Sequence, residues 1–224
     1  MRAAPPTDRA RRSRGARILG LVTVAFTAMA ITGSVGPSAR PWAEGADNGV
    51  WHTVFTGNGV VDATDSTTIS LAPQAAAGTS THSALVVSGG SYRDLDVTIR
   101  LRTTAQLRQP EPNPWEVGWL LWHYTDHAHF YYVALKSVGW EVGKEDPAYP
   151  GSQRFLATGP QPFHPGQWYD VRVRQAVDTV TVWADGVLLT TVSDTENPYP
   201  AGKIGLYSED AVAQFRPLRI CCPL

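Results

Sequence analysis

Apolar residues in the body of this chain recur at every second position rather than at every third or fourth. Leu95, Val97, Ile99 and Leu101 alternate with Asp94, Asp96, Thr98, Arg100 and Arg102. Period two is the mark of a strand with one face in a core and the other in water. Tyr169, Val171 and Val173 alternate with Asp170, Arg172 and Arg174 in the same way. Two β-rich runs, 179–184 and 187–192, flank Asp185-Gly186, the dipeptide of a type I′ hairpin turn. Further runs at 203–207 and 212–215 close the pattern, and no long segment has helical period. Short strands separated by Gly, Pro, Asn and Asp predict an all-β domain, a two-sheet antiparallel jelly-roll sandwich.

The middle of the chain breaks the alternation. Residues 115–124 and 129–136 are aromatic or apolar at nearly every position. Such strands are covered on both faces. One cover is the sandwich core, and the other must be a groove, a loop or a partner surface.

The start of the chain has a different composition. Residues 1–17 carry six arginines, residues 18–31 carry no charge, and Ala28-Met29-Ala30 fits an Ala-x-Ala cleavage site, with Ser38-Ala39 as a second candidate. This is the layout of a signal peptide, and fourteen apolar residues fall short of the roughly 20 needed to span a bilayer. Residues 1–40 are therefore read as signal peptide and start of linker, 41–48 as linker and 49–220 as the sandwich. The protein is expected to be secreted, extracellular or on the envelope surface, touching a membrane only through an uncleaved signal segment. A formal net charge of −1 carries no nucleic-acid signature. The two cysteines, Cys221 and Cys222, are adjacent, so disulfides do not hold the fold.

Three runs resemble the C-terminal half of concanavalin A-like lectin/glucanase domains. They are Gln167-Trp168-Tyr169-Asp170-Val171-Arg172-Val173, Val180-Thr181-Val182-Trp183-Ala184-Asp185-Gly186 and Gly202-Lys203-Ile204-Gly205-Leu206-Tyr207. Laminin-G-like modules and family-16-like domains, including the 3-keto-disaccharide hydrolase type, share the pattern. The runs 113–119 and 139–144 resemble a subgroup of secreted bacterial domains, some of them calcium-binding. The resemblance implies the fold and leaves the activity open, because this fold hosts lectins, hydrolases, lyases and adhesion modules.

The chemistry-bearing residues concentrate between Arg100 and Asp146. Aromatic faces that stack on sugar C–H patches, with a few placed polar groups, make a glycan site. Trp119, Trp122 and Tyr132 are expected to stack, with Arg100, His123, Lys136 and Glu141 as polar contacts. A polysaccharide or oligosaccharide is the expected partner. The alternative is a polysaccharide-degrading enzyme on the same fold. Glu141 and Glu145 have the spacing of the family-16 Glu-x-Asp-x-Glu strand, but Gly143 stands where that pattern has Asp. A uronate lyase would need a cation and a proton carrier, and Arg100, His123, Tyr132 and Lys136 are of the right types. His123, His127, His129 and Asp126 have the spacing of a loop metal site, though 125–128 reads more simply as a turn. A structural calcium, through Asp62, Asp65, Glu209 or Asp210, is the one cofactor left open. Where calcium-binding relatives show Phe-Asp, this chain has Phe215-Arg216. If the hairpin after Lys136 turns at Val138-Gly139, Lys136 lies opposite Glu141 as a cross-strand pair.

Overall fold

The computed structural model describes residues 40–221, so the segment expected to be a signal peptide and Cys222 lie outside the described residues. Fifteen strands follow in chain order: β1 (Asp47–Asn48), β2 (Trp51–Phe55), β3 (Val60–Ala63), β4 (Ile69–Ala72), β5 (Ser83–Ser88), β6 (Leu95–Gln106), β7 (Gly118–Asp126), β8 (His129–Lys136), β9 (Gly139–Glu145), β10 (Gln153–Gly159), β11 (Tyr169–Ala176), β12 (Thr179–Ala184), β13 (Val187–Ser193), β14 (Lys203–Glu209) and β15 (Ala211–Cys221). They form two antiparallel sheets. The first has the order β1-β2-β5-β14-β7-β8-β9-β10, and the second β13-β12-β11-β6-β15-β4-β3. This is the jelly-roll sandwich that the alternation predicts. No helix of the described residues is long and apolar enough to cross a membrane.

The alternating residues sort as expected. Leu95, Val97, Ile99, Leu101, Val171 and Val173 are buried between the sheets, while Arg100, Arg172 and Arg174 point to solvent from the second sheet. Asp185 and Gly186 both take positive φ, 48° and 76°, as a type I′ turn demands at its two central positions. Glycine adopts that region without a side-chain penalty.

Two expectations about boundaries change. The segment read as linker contributes structure: Asp47–Asn48 pair with β2, and the Trp42 amide donates to the Val61 carbonyl at 2.7 Å while its indole packs on the core. The closing strand, expected to end near Phe215, runs to Cys221 along β6. A bulge between Arg216 and Arg219 accommodates Pro217, which has no amide to donate.

Strands β7 and β8 occupy the middle of the first sheet, where both faces need cover. Leu120, Trp122, Tyr131, Val133 and Leu135 enter the inter-sheet core. On the opposite face a second apolar cluster forms from Leu85, Val87, Val117, Trp119, Leu121, Tyr124, Phe130, Tyr132 and Ala134, with Val54, Phe55 and Tyr207 packed against it. The two apolar faces of these strands thus serve a core on one side and a cleft floor on the other.

Candidate functional site

The second cluster floors a cleft of about 490 Å³ on the outer face of the first sheet. Trp119 and Tyr132 lie on adjacent strands and stack at 4.6 Å, and Tyr207 of β14 meets Trp119 at 5.2 Å. Aromatic pairs of this geometry contribute about 0.5–1.5 kcal/mol beyond their burial. Trp115, in the loop before β7, and Phe155, on edge strand β10, line the cleft and are about half exposed. The Trp119 indole N–H donates to the Trp115 carbonyl at 2.9 Å, tying that loop to the floor.

Three glutamates line the same cleft: Glu141 and Glu145 from β9 and Glu209 from β14. Glu141 is buried and pairs with Lys136. Burial, and then the neighbouring charge of Glu209, push the Glu145 carboxyl up to about 7. Burial also raises Glu209, although its hydrogen bond from the Tyr207 hydroxyl at 2.8 Å works the other way. Burial, followed by the charges of Glu141 and Glu145, raises the Tyr132 phenol well above its ordinary range, and Gln153 donates to its oxygen at 2.8 Å. A half-buried carboxyl that titrates near neutrality can hold or release a proton at working pH.

Arginine 108 braces the cleft from behind. Its guanidinium pairs with Glu116 and, at 2.6 Å, with Asp210, both of which have fully buried side chains. It also donates to the carbonyls of Gly78 and Ser80. Glu116 in turn accepts from the amide and side chain of Asn113. One cation therefore fixes the loop that carries Trp115 to the turn after Glu209.

Four of the seven expected site residues belong to this region. Trp119 and Glu141 line the cleft, Tyr132 lies in its floor, and Lys136 holds Glu141. The hairpin turns at Ser137–Val138, pairing Lys136 with Gly139, so the Lys136–Glu141 contact is diagonal rather than directly opposite. The other three residues lie elsewhere. Trp122 is completely buried between the sheets, where its N–H donates to Gln175 at 2.6 Å. His123 sits at a bulge with φ 49°, and its ring nitrogens face the carbonyls of Tyr199 and Arg93 at 2.8 and 2.7 Å. Burial lowers its pKa against the pull of those carbonyls. Arg100 stands on the outer face of the opposite sheet, paired with Asp170 at 3.1 Å. Lys144, which also falls between Arg100 and Asp146, is wholly buried on the core side of β9 and pairs with Asp194 at 2.8 Å.

These placements bear on the enzyme templates. Gly143 faces Tyr132 across β8 and β9, and a Cβ at that position would fall 2.6 Å from the Tyr132 hydroxyl and 2.8 Å from the Arg154 carbonyl. The aspartate of the family-16 strand has no room here. The uronate-lyase set is dispersed, since Arg100 and His123 are outside the cleft and Lys136 is committed to Glu141. His127 lines the cleft, while His129 bonds Asp126 in the adjoining turn. Among the described residues no group of three or more His, Cys, Asp or Glu side chains stands together so as to hold a metal ion. Asp65 caps its own turn through Thr67 and Thr68, and Asp210 is held by Arg108.

Phe55, Leu85, Phe155, Tyr207 and the cleft role of Glu209 were not anticipated. Period two along 203–209 carries the signal for the last pair, because Gly205, Tyr207 and Glu209 share a face. A larger cavity, about 700 Å³, opens at the edge of the sandwich beside Trp42, Trp51, Tyr92 and Leu218, and its inner wall is the core itself through Ile99, Leu206 and Phe215.

The chain belongs to the family of 3-keto-alpha-glucoside-1,2-lyase-like domains, whose model matches residues 42–221. Its fold is similar to that of the carbohydrate binding module CBM66 from Bacillus subtilis, with a TM-score of 0.56 and 16% identity, over 77% of this chain and 96% of that one. It is similar to the exoplasmic/lumenal domain of VIP36 in its Ca2+/Man3GlcNAc-bound form, with a TM-score of 0.56 and 12% identity, over 78% of this chain and 84% of that one. A GlcNAcα1-4Gal-releasing endo-β-galactosidase from Clostridium perfringens matches with a TM-score of 0.52 and 8% identity, over 83% of this chain and 62% of that one. No curated protein matches the chain. The domain is thus a concanavalin A-like sandwich of the kind found in glycan-binding and glycan-active proteins.

Proposed function

We propose that this family member recognises an oligosaccharide in the cleft of the first sheet, outside the cytoplasm. The observation that carries the reading is the composition of the cleft: an aromatic floor of Trp119, Tyr132 and Tyr207, two exposed rings at Trp115 and Phe155, and three carboxylates. Rings stack on the C–H faces of a sugar and carboxylates accept from its hydroxyls, which is the general make-up of a small-ligand site. Among the described residues no lysine or arginine lines the cleft, and the lysine nearest to its glutamates, Lys136, is itself paired with Glu141. Neutral glycans therefore suit the cleft better than uronic acids, whose carboxylates the glutamates would repel. Calorimetry against a panel of neutral and acidic oligosaccharides tests this. Binding of a neutral member that Trp115→Ala abolishes is the expected result. Retention of full affinity in that variant, or silence across the neutral panel, would overturn the reading.

A catalytic reading has one specific observation in its favour, the Glu145 carboxyl pushed up to about 7 inside the cleft. In a 3-keto-glucoside the ketone acidifies the proton on C2. A carboxylate that takes this proton and passes it to O1, as the C2–H electrons form a C1–C2 double bond and the C1–O1 pair leaves with O1, completes a 1,2-elimination, the reaction in the family's descriptive name. Incubation with a 3-keto-glucoside, followed for released aglycone, separates the two readings. Release by the wild type and loss in Glu145→Gln would establish catalysis, and no release would leave recognition alone.

A further inference from the structure

The outer face of the second sheet carries a concentration of positive charge that the cleft does not use. Residues 40–221 contain 13 lysines and arginines against 19 aspartates and glutamates. Six of those cations lie together on three adjacent strands: Arg172 and Arg174 on β11, Arg100 and Arg102 on β6, and Arg216 and Arg219 on β15. The register sets Arg100 beside Arg216, and Arg172 and Arg219 on either side of Thr98. Strands about 4.8 Å apart and about 3.3 Å of rise per residue make this a ribbon roughly 10 Å wide and 20 Å long.

The ribbon is undercompensated at one end. The guanidinium carbons of Arg102, Arg216 and Arg100 lie 4.7, 4.6 and 5.8 Å from the centroid of a single indole, Trp168. Cations gathered on one ring attract it but repel each other. Arg100 has Asp170 at 3.1 Å, whereas Arg216 donates to the neutral Thr68 hydroxyl at 2.9 Å and has its carboxylate, Asp65, at 3.9 Å. Arg102 donates to the neutral Gln214, and its Nε is buried without an acceptor. Among the described residues no carboxylate is in ion-pair contact with Arg102, Arg174 or Arg219. The buried Nε marks the strain of this crowding and is out of a ligand's reach, whereas the exposed guanidiniums of Arg174 and Arg219 are open to a carboxylate or sulfate, with two parallel bonds where geometry allows.

We infer that this ribbon is a second binding surface, separate from the cleft, and that it takes an acidic polysaccharide. Its length exceeds that of one sugar, so repeated anionic groups along a chain engage it better than a free anion. Trp168 and Trp183 lie under guanidiniums, with Arg172 at 4.9 Å from the Trp183 ring, so the two rings offer no apolar wedge to a bilayer. The acidic remainder of the domain repels a polyanion everywhere else and confines it to this face.

The test is affinity electrophoresis and calorimetry of residues 40–224 with polygalacturonate, with neutral dextran as the control. Retardation by polygalacturonate at low salt, lost as salt rises, is expected, and none by dextran. Arg102→Gln combined with Arg216→Gln should weaken the interaction about tenfold or more. Since Arg102 is partly packed, Arg174→Gln with Arg219→Gln, both exposed, serves as the independent variant and should weaken it severalfold with a nearly unchanged melting temperature. Trp115→Ala, a cleft variant, should leave it intact, which separates this surface from the proposed glycan cleft. Absence of retardation at low salt, binding indifferent to both arginine pairs, or equal binding to duplex DNA or phosphatidylglycerol vesicles would overturn the assignment.

Discussion

The two outer faces of the sandwich are built from the same alternating strands and have opposite character. The face of the first sheet is apolar at its centre and acidic around it, with Trp119, Tyr132 and Leu121 beneath Glu141, Glu145 and Glu209. The face of the second sheet is mostly polar, with arginines laid over Trp168 and Trp183 and with Leu188 exposed beside Trp183. One face buries its aromatics to make a floor, and the other uses them to carry cations. A sheet face that is apolar without a covering layer leaves a cleft, whereas a face of charged side chains leaves an open surface. As proposed, the first face recognises by shape and the second by charge, and the two can be broken separately.

The largest effect should come from the brace behind the cleft. Arg108→Ala leaves Glu116 and Asp210 buried without their cation. Breaking such a network by removing one partner leaves two buried carboxylates without their cation and is strongly destabilising, to be read as a lower midpoint of urea denaturation. The loop carrying Trp115 should loosen with it, so affinity for the cleft ligand falls further than global unfolding explains. The arginine ribbon on the other sheet should keep its behaviour at temperatures where the variant is folded. A variant of wild-type stability would show that the network is not what fixes the cleft wall.

Next in size is Gly143→Asp, which installs the residue of the family-16 strand. The new Cβ would meet the Tyr132 hydroxyl at 2.6 Å and the Arg154 carbonyl at 2.8 Å. Overpacking of this kind costs about 1–3 kcal/mol. The variant should lose the Trp119–Tyr132 stack, seen in near-ultraviolet circular dichroism, and should gain no hydrolysis. Hydrolysis of a neutral glycan by this variant would mean that the missing aspartate alone separates the domain from a glucanase.

A smaller effect is a pH dependence. The Glu145 carboxyl is raised to about 7 by burial and by Glu209. The folded state therefore binds this proton more tightly than the unfolded chain does. Its contribution is full below the ordinary carboxylate range and is lost as pH rises through about 7. With solvent screening allowed for, the loss is about 1 kcal/mol. Melting temperature should fall over that window in the wild type and stay flatter in Glu145→Gln. Equal slopes in the two proteins would remove Glu145 from the acid–base role.

The fold was legible because period two is written directly in β6, β11 and β12. Both covers of β7 and β8 were legible for the same reason, since their apolar residues leave no wet face. The sorting of individual site residues was only partly so. Trp119 and Trp122 are three apart, and an odd spacing puts them on opposite faces of a strand. That parity separates the cleft tryptophan, Trp119, from the core one, Trp122. His123 follows a different logic. A regular strand would aim it into the cleft beside Trp119 and Leu121, but the bulge at φ 49° turns it aside and presents Tyr124 instead. No residue type announces that bulge. Nor does alternation say which sheet a strand joins, and that is fixed by pairings far apart in the chain, such as β6 with β15.

Arg100 is where that last ambiguity had its clearest effect, and it gives the smallest predicted change. Its alternation with Ile99 and Leu101 says that it faces water, and its place among polar residues made it a candidate sugar contact. The register puts it between Asp170 and Arg216 on the second sheet, with about half of its side chain exposed. An exposed pair such as Arg100–Asp170 contributes about 0–1 kcal/mol. Arg100→Gln should therefore unfold within that margin of the wild type and leave the cleft ligand's affinity unchanged. Polygalacturonate binding should weaken about twofold to threefold, less than for Arg102 and Arg216, because Arg100 already has a carboxylate partner. A loss of cleft affinity in this variant would mean that the two faces are coupled through β6 and the core, and the separation drawn between them would have to be abandoned.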